Sequence, residues 1–482
     1  MAFDYRAFAL KKLASIGPKY LPFADVATDD VPLSRLLRLS LFQVTVGAAL
    51  VLLVGTLNRV MIVELSVPAT LVAGMLALPL LFAPFRTLIG HKSDQHRSAL
   101  GLRRVPYIWK GTMYQFGGFA VMPFALLVLS GYGEAVDAPR WIGLSSAALA
   151  FLLVGAGLHI VQTAGLALAT DLVREEDQPK VVGLMYVMLL FGMVISALVY
   201  GRLLESYTPG RLIQVIQGTA VLTIAMNLFA LWKQEARDRN RAAEMDRQRN
   251  VPFREAWDSL VAQPGMIRLM VLIGLGTFGF GMADVLLEPY GGQALGFSVA
   301  ETTRLTALFA TGTLIGFGIA SRVLSGPLEA VFVGRVGAVI GVPGFAAIIL
   351  ASFGGGALVF LAGVFATGLG AGLFGHATLT ATLRAAPPDR IGLALGTWGA
   401  VQATCAGIGV ALAGITRDII VNLPAMSGLS AHAPYNYVFA IEIAFLILAV
   451  LVAIPGKAKA APHEEETNSV GYHDYSDHTA LR

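Results

Sequence analysis

The sequence predicts an all-α membrane protein of twelve transmembrane helices arranged as two six-helix halves. Stretches free of Asp, Glu, Lys and Arg recur along the chain, basic residues favour alternate loops, and one long polar interruption divides the stretches six and six. Roughly 20 apolar residues carry a helix across the hydrocarbon, and lipid leaves only helices and closed barrels able to satisfy the backbone. Hydrophobic residues make up 56% of the chain, charged residues 14%, and the mean hydropathy is +0.68. Soluble domains carry about 25% charged residues.

Residues 1–38 mix charges with short apolar runs and show no cleavable signal pattern, so the chain is expected to insert through its own helices. The first half, 39–232, holds Ser40–Asn58, Ser66–Phe85, Gly111–Gly133, Trp141–Thr170, Val181–Gly201 and Leu212–Trp232, all uncharged. The central loop, 233–265, is rich in charge; Glu235–Arg249 is predicted to be a surface helix, and Pro264-Gly265 introduces the seventh span. The second half, 266–455, begins with Leu269–Ala283, which reaches full length only by taking in Arg268 or Asp284. Leu305–Ser321 follows. Val336–Leu383 is too long for one helix, and Gly354-Gly355-Gly356 splits it in two. Ile391–Thr416 and Tyr435–Ile454 complete the set, the last carrying one acid, Glu442. The tail, 456–482, is polar and is expected to be disordered and cytoplasmic.

Counted alternately, the loops on one side hold Lys11, Lys12, Arg35, Arg38, Lys92, Arg103, Arg104, Lys110 and the basic residues of the central loop. The other side holds only Arg59, Arg140, Arg202, Arg211, Arg304 and Arg417. The positive-inside rule then puts both termini in the cytoplasm. The net charge of +4 is small and no basic groove pattern accompanies it, so a nucleic-acid partner is not expected. The single cysteine, Cys405, excludes an internal disulfide and a Cys-based metal site.

A weak internal echo supports duplication. Gly155-Ala156-Gly157-Leu158-His159 in the fourth span is similar to Gly370-Ala371-Gly372-Leu373 with His376 in the tenth. With the six-plus-six split, this favours the major facilitator superfamily fold. The loop after the second span resembles that superfamily's motif A through Gly90, Asp94, Arg97, Arg103 and Arg104, with Asp171 at the end of span four as an acid for the arginines to pair with. The match departs where Gln95 stands in place of a basic residue.

Narrower strings follow one another: Leu21-Pro22-Phe23-Ala24-Asp25, Leu36–Val44, Gly55–Leu65, Leu78–Arg86 and Arg103-Arg104-Val105-Pro106-Tyr107. Together they resemble the PucC/LhaA family of purple phototrophic bacteria, a bacteriochlorophyll-delivery branch of the superfamily, and by length and N-terminal extension the LhaA side of it. The resemblance implies a non-enzymatic assembly factor in the inner or intracytoplasmic photosynthetic membrane. Such a factor serves light-harvesting antenna polypeptides and reaction centre–antenna intermediates, with the core antenna expected, and carries bacteriochlorophyll as cargo. Two rivals stand beside it: a secondary transporter of a small solute, and a pigment-free membrane scaffold.

His159 and His376 are the first candidates for pigment contact. A neutral imidazole can ligate the magnesium of a tetrapyrrole, and Gly157 and Gly372 beside them could let a flat macrocycle approach the backbone. The competing reading is a histidine bonded between helices. Arg59 with Glu64 reads as an ion pair closing the outer face or, alternatively, as a contact with a pigment carbonyl or antenna peptide. Asp284 and Glu288, one turn apart, read either as a helix end reaching water or as a proton or cation site. Gln43, Gln115, Gln162 and Gln402 read as interhelical hydrogen-bonding groups. The glycine-rich run Gly368–Gly375 has no preceding strand and no following Lys-Ser/Thr, so it is not a phosphate loop, and nothing points to a hydrolase or oxidoreductase.

Overall fold

The structure, a computed structural model, describes residues 31–81, 102, 104–131, 137–174, 177–235, 253–386, 391–423 and 430–454. The first six helices are α1 (Leu33–Glu64), α2 (Ala69–Leu81), α3 (Val105–Ser130), α4 (Arg140–Asp171), α5 (Gln178–Leu203) and α6 (Pro209–Leu231). A short helix, α7 (Phe253–Val261), precedes α8 (Met266–Gly281) and α9 (Leu287–Leu295). Then come α10 (Val299–Leu324), α11 (Ala330–Leu350), α12 (Gly356–Ala385), α13 (Ile391–Asn422) and α14 (Ala433–Ala453). The expected helix Glu235–Arg249 and the tail 456–482 fall outside the described residues.

Ten helices among the described residues are long and apolar enough to cross a membrane. The longest, Ala330–Ala385, is a hairpin: α11 and α12 pack along one another, and the chain turns at Phe353 and Gly354. Gly354 holds φ 102°, a conformation that only glycine adopts without strain. With the two arms taken separately and the shorter apolar α2 added, the apolar segments number twelve.

The seventh span is broken. α8 ends at Gly281, a tight turn covers Met282–Val285, and α9 restarts at Leu287. Pro289 in the first turn of α9 has no N–H to continue the ladder, and its ring crowds the preceding turn. The break places Asp284 in the turn and Glu288 at the restart. The next helix, α10, starts with a capping box in which Ser298 and Glu301 satisfy each other's backbone N–H.

Within the first six helices, α3 packs along α4 and α6, and α1 packs against α5 and α6. In the second set, α12 packs against α11 and α10, while α14 packs against α11 and α8. Two pairs join the sets most extensively, α2 with α13 and α5 with α10, and the end of α1 also meets α9 and α10. The end where α1 begins is termed proximal, and the end where it finishes is distal.

Buried polar groups tie the first set together. Asn227 of α6 donates to Thr112 of α3 at 2.9 Å and accepts from Thr45 of α1 at 2.9 Å. Tyr200 of α5 bonds Thr219 of α6 at 2.8 Å. Gln43 and Gln115, expected to bond between helices, are fully buried but make no side-chain hydrogen bond among the described residues. Their helices are held by close packing instead.

Candidate functional site

Gly157 and Gly372 are contact points between helices, not a macrocycle cradle. A Cβ on Gly157 would stand 2.5 Å from the Gly111 carbonyl of α3, and one on Gly372 would collide with the Thr313 carbonyl of α10. The contacts repeat between the halves. Gly111 meets Gly157 as Gly337 meets Gly370; Gly118 meets Ala150 and Val154 as Gly344 meets Gly363 and Thr367. Gly155 sits on Pro79 of α2 as Gly368 sits on Phe309 of α10. The spatial partner of Gly157 is therefore Gly370. The Gly-Ala-Gly strings match by letter but are shifted by two residues in space.

This register separates the histidines. His159 stands opposite Gly372, and His376 opposite Thr163. His376 is buried on α12, with its ring 4.2 Å from that of Phe317 on α10. His159 is half-buried on α4. The two helices are not among the pairs that pack along one another. The structure thus does not bring the imidazoles together, and His376 packs against Phe317 of the neighbouring helix.

Of the motif A residues, Gly90, Asp94, Arg97 and Arg103 lie outside the described residues. Arg104 is buried and its Nε donates to Asp171 at 3.1 Å. The backbone N–H groups of Arg104 and Val105 donate to the carboxylate of Glu235 at 3.0 Å, placing an anion at the start of α3, where the helix dipole favours it. Nothing in the sequence pattern singled out Glu235, because the contact joins segments 131 residues apart.

The halves meet at the distal end. Asn58 of α1 donates to the Val285 carbonyl at 2.8 Å, and Thr56 bonds Thr303 of α10 at 3.1 Å. Arg59 pairs with Glu64 and also donates to the Phe297 carbonyl at 3.0 Å. The pair expected to close one face does so by bridging the halves. The backbone N–H of Thr70 on α2 donates to Asp418 of α13 at 2.7 Å, and Arg304 of α10 pairs with Glu205 in the segment after α5. Tyr207, beside this seam, is half-buried, and its phenol is pushed up to about 12, first by burial and then by the Glu64 charge.

Beneath the seam lies a cavity of about 140 Å³ lined by Val54 and Gly55 of α1, Met193 of α5, Asp284, Glu288, Thr306 and Phe309 of α10, and Thr367 of α12. Asp284 opens onto it, while Glu288 is only 3% exposed and accepts from the Thr306 hydroxyl. The reading of this pair as a helix end in water fails for Glu288, because α1 covers it. Glu442 of α14, fully buried, accepts from the Ala283 backbone N–H beside Asp284. The sequence showed Glu442 only as a lone acid in an apolar span; the break in the seventh span gives it a partner. This cavity falls below the roughly 300–1,000 Å³ of sites for larger organic ligands.

A second cavity, about 550 Å³, lies in the proximal part of the second half. Trp257 and Leu260 of α7, Met270, Gly274 and Phe278 of α8, Val401 and Cys405 of α13, and Phe445 of α14 line it. Among the described residues, its only hydroxyl is that of Thr397, and no histidine or acid lines it. Such a pocket can hold a large apolar body by contact area alone. Among the described residues, no group of three or more His, Cys, Asp or Glu could hold a metal ion.

A solved structure similar in fold is a bacterial homologue of the iron transporter ferroportin in its inward-facing state, with TM-score 0.61 and 16% identity, covering 87% of this chain and 97% of that one. The fold is that of the major facilitator superfamily. A family model described as PUCC protein matches residues 56–460. Protein PucC of Rhodobacter capsulatus is 70% identical over 453 residues, 94% of this chain and 98% of its own length. Protein PucC of Rhodovulum sulfidophilum is 60% identical over 430 residues, 89% of this chain and 94% of its own. With the matched strings running through the helices that build the distal seam and both cavities, the chain belongs to the PucC family of membrane proteins.

Proposed function

We propose that this protein is an assembly factor for photosynthetic light-harvesting complexes that takes up bacteriochlorophyll and hands it to antenna polypeptides. Family membership supports the setting, and the observation that carries the reading is the 550 Å³ apolar cavity between α7, α8, α13 and α14. It falls within the size range of sites for large organic ligands. Its lining of Trp257, Phe278, Phe445 and aliphatic groups suits a flat tetrapyrrole or its hydrocarbon tail. Among the described lining residues there is no imidazole to bind magnesium, so the pigment is held there by contact. His159, half-buried, is the better placed of the two histidines to meet a pigment in transit; the packed His376 is a helix-joining residue. Antenna polypeptides and reaction centre–antenna intermediates are the receiving partners. The excess of Lys and Arg on the proximal side supports cytoplasmic termini in the inner or intracytoplasmic membrane. The 70% identity to Protein PucC supports the PucC side of the family over the LhaA side.

The test is pigment content. The protein purified in mild detergent from a bacteriochlorophyll-producing host should carry a near-infrared absorption band. Cys405→Trp and Gly274→Phe fill the cavity and should lower co-purified pigment about tenfold, which corresponds to about 1.4 kcal/mol. His376→Ala should leave it unchanged. Full pigment in both filled variants, with loss in His159→Ala and His376→Ala, would return the site to the histidines. No pigment in any preparation would favour the pigment-free scaffold.

A further inference from the structure

We propose that a polar cleft at the distal end binds the phosphate headgroup of a membrane phospholipid, with Arg417 as its anchor. Pigment uptake plays no part in it. The cleft, about 290 Å³, lies between the connection from α1 to α2, which supplies Ser66 and Val67, and the second half, which supplies Gln293 of α9 and Arg417, Asp418 and Val421 of α13. Unlike the apolar cavity, it sets charged and amide groups beside aliphatic ones. That mixture suits an amphiphile at the point where its head meets its chains. The volume falls just below the roughly 300–1,000 Å³ of sites for larger organic ligands, so the cleft admits a headgroup and leaves the acyl chains in the bilayer.

The connection is held in a costly shape. Ser66 sits at φ 49°, a region that L side chains rarely adopt. Arg140 of α4 secures it, donating to the carbonyls of Leu65 and Ser66 at 2.6 and 3.1 Å. Backbone in such regions clusters at ligand clamps. Trp141, next along α4, is 66% exposed, and exposed tryptophans at helix ends mark the level of the lipid headgroups. Through Arg140 the cleft wall is tied to that level.

The charges favour an anion. The Arg417 side chain is only 14% exposed. Its Nη1 donates to Asp418 at 2.8 Å, and its Nη2 donates to Gln293 at 2.9 Å and to the Tyr435 hydroxyl at 3.4 Å. Its Nε is buried and has no partner. A guanidinium carries five N–H donors in a fork that matches phosphate, so donors are left over. Asp418 does not cancel this surplus, because its Oδ2 also accepts from the Thr70 N–H at 2.7 Å, in the positive first turn of α2. Of the charges that flank the connection, Glu64 pairs with Arg59, and Arg140 is engaged by carbonyls. Arg59, Arg140 and Arg417 thus stand against Glu64 and Asp418, an excess of one positive charge. A singly charged phosphodiester matches that excess, and a headgroup carrying its own ammonium opposes it. Phosphatidylglycerol is therefore favoured over phosphatidylcholine. The bound headgroup touches both halves and steadies the pairing of α2 with α13.

The experiment uses the full chain, purified in detergent, stripped of lipid and titrated with dioleoylphosphatidylglycerol under native mass spectrometry. One lipid should bind first, followed by weaker adducts on the basic proximal face. Arg417→Gln and Val421→Trp should each weaken the first adduct about tenfold, the loss expected for one hydrogen bond to a charged group. Val421 is exposed and takes no part in the Arg417 hydrogen bonds, so Val421→Trp fills the cleft and keeps the test alive if Arg417→Gln does not fold. The first adduct should raise the melting temperature of the parent and not that of Val421→Trp. Dioleoylphosphatidylcholine should bind the first site more weakly. An unchanged first adduct in Val421→Trp, or equal binding of the two lipids, would overturn the proposal. Inorganic phosphate in large excess should leave the lipid in place; displacement by it would make the cleft a site for the free anion and overturn the lipid assignment.

Discussion

The two halves share a frame and differ in what they enclose. Gly111 against Gly157 and Gly337 against Gly370 bring neighbouring helices equally close, and the contacts of Gly118 and Gly344 continue the match. Inside that frame, the first half is joined by neutral groups, Asn227 with Thr45 and Thr112, and Tyr200 with Thr219. The second half breaks its first span and buries Glu288 and Glu442. Small residues at helix crossings are a packing requirement set by backbone separation, so a duplicated fold keeps them in both copies. Interior chemistry is free of that requirement. Seeking function in matching letters, as with His159 and His376, is therefore misled by glycines kept for packing, because the histidines beside them do not occupy equivalent positions.

The largest effect expected to test this comparison is steric. Gly157→Leu and Gly370→Leu should each destabilise the detergent-solubilised protein by about 3 kcal/mol, the upper part of the overpacking range. Gly117→Leu, where a Cβ meets nothing within 4 Å, should be close to neutral. Equal losses of melting temperature at all three positions would break the shared frame.

Next is the histidine pair. His376→Ala removes a ring packed on Phe317 and should cost about 2 kcal/mol. The half-buried His159 should cost less than about 0.5 kcal/mol when replaced by alanine. Thermal unfolding that shifts equally for both would restore them as counterparts.

The amide network comes third. Asn227→Leu leaves Thr45 and Thr112 without their shared partner. It should lower stability by about 0.6–1.7 kcal/mol, from the average to the maximum measured for hydrogen bonds between membrane helices. A double-mutant cycle of Asn227 with Thr112 that shows no coupling would remove the network from the comparison.

The smallest effect belongs to the exposed pair of Arg304 and Glu205 across the distal seam. Glu205→Gln should change stability by under about 1 kcal/mol, and less at high salt. A larger, salt-insensitive loss would mean that this surface pair holds the halves together more than Asn58 and Arg59 do.

The sequence by itself determined the apolar segments, the split of the long Val336–Leu383 stretch at its glycines, and the family, because each is written in local hydrophobicity or in contiguous strings. It also placed Arg59 with Glu64 and offered Asp171 to the loop arginines, since opposite charges near helix ends have few alternatives. Only the tertiary structure decided the register between the halves, because a two-residue shift leaves a Gly-Ala-Gly string readable while changing which helix each glycine touches. It alone covered Glu288 with α1, gave Glu442 the Ala283 N–H, brought Glu235 to the start of α3, and assembled the apolar cavity from four helices. Those features depend on residues far apart in the chain meeting in space. Burial and partnership are properties of the packed bundle, not of any one segment.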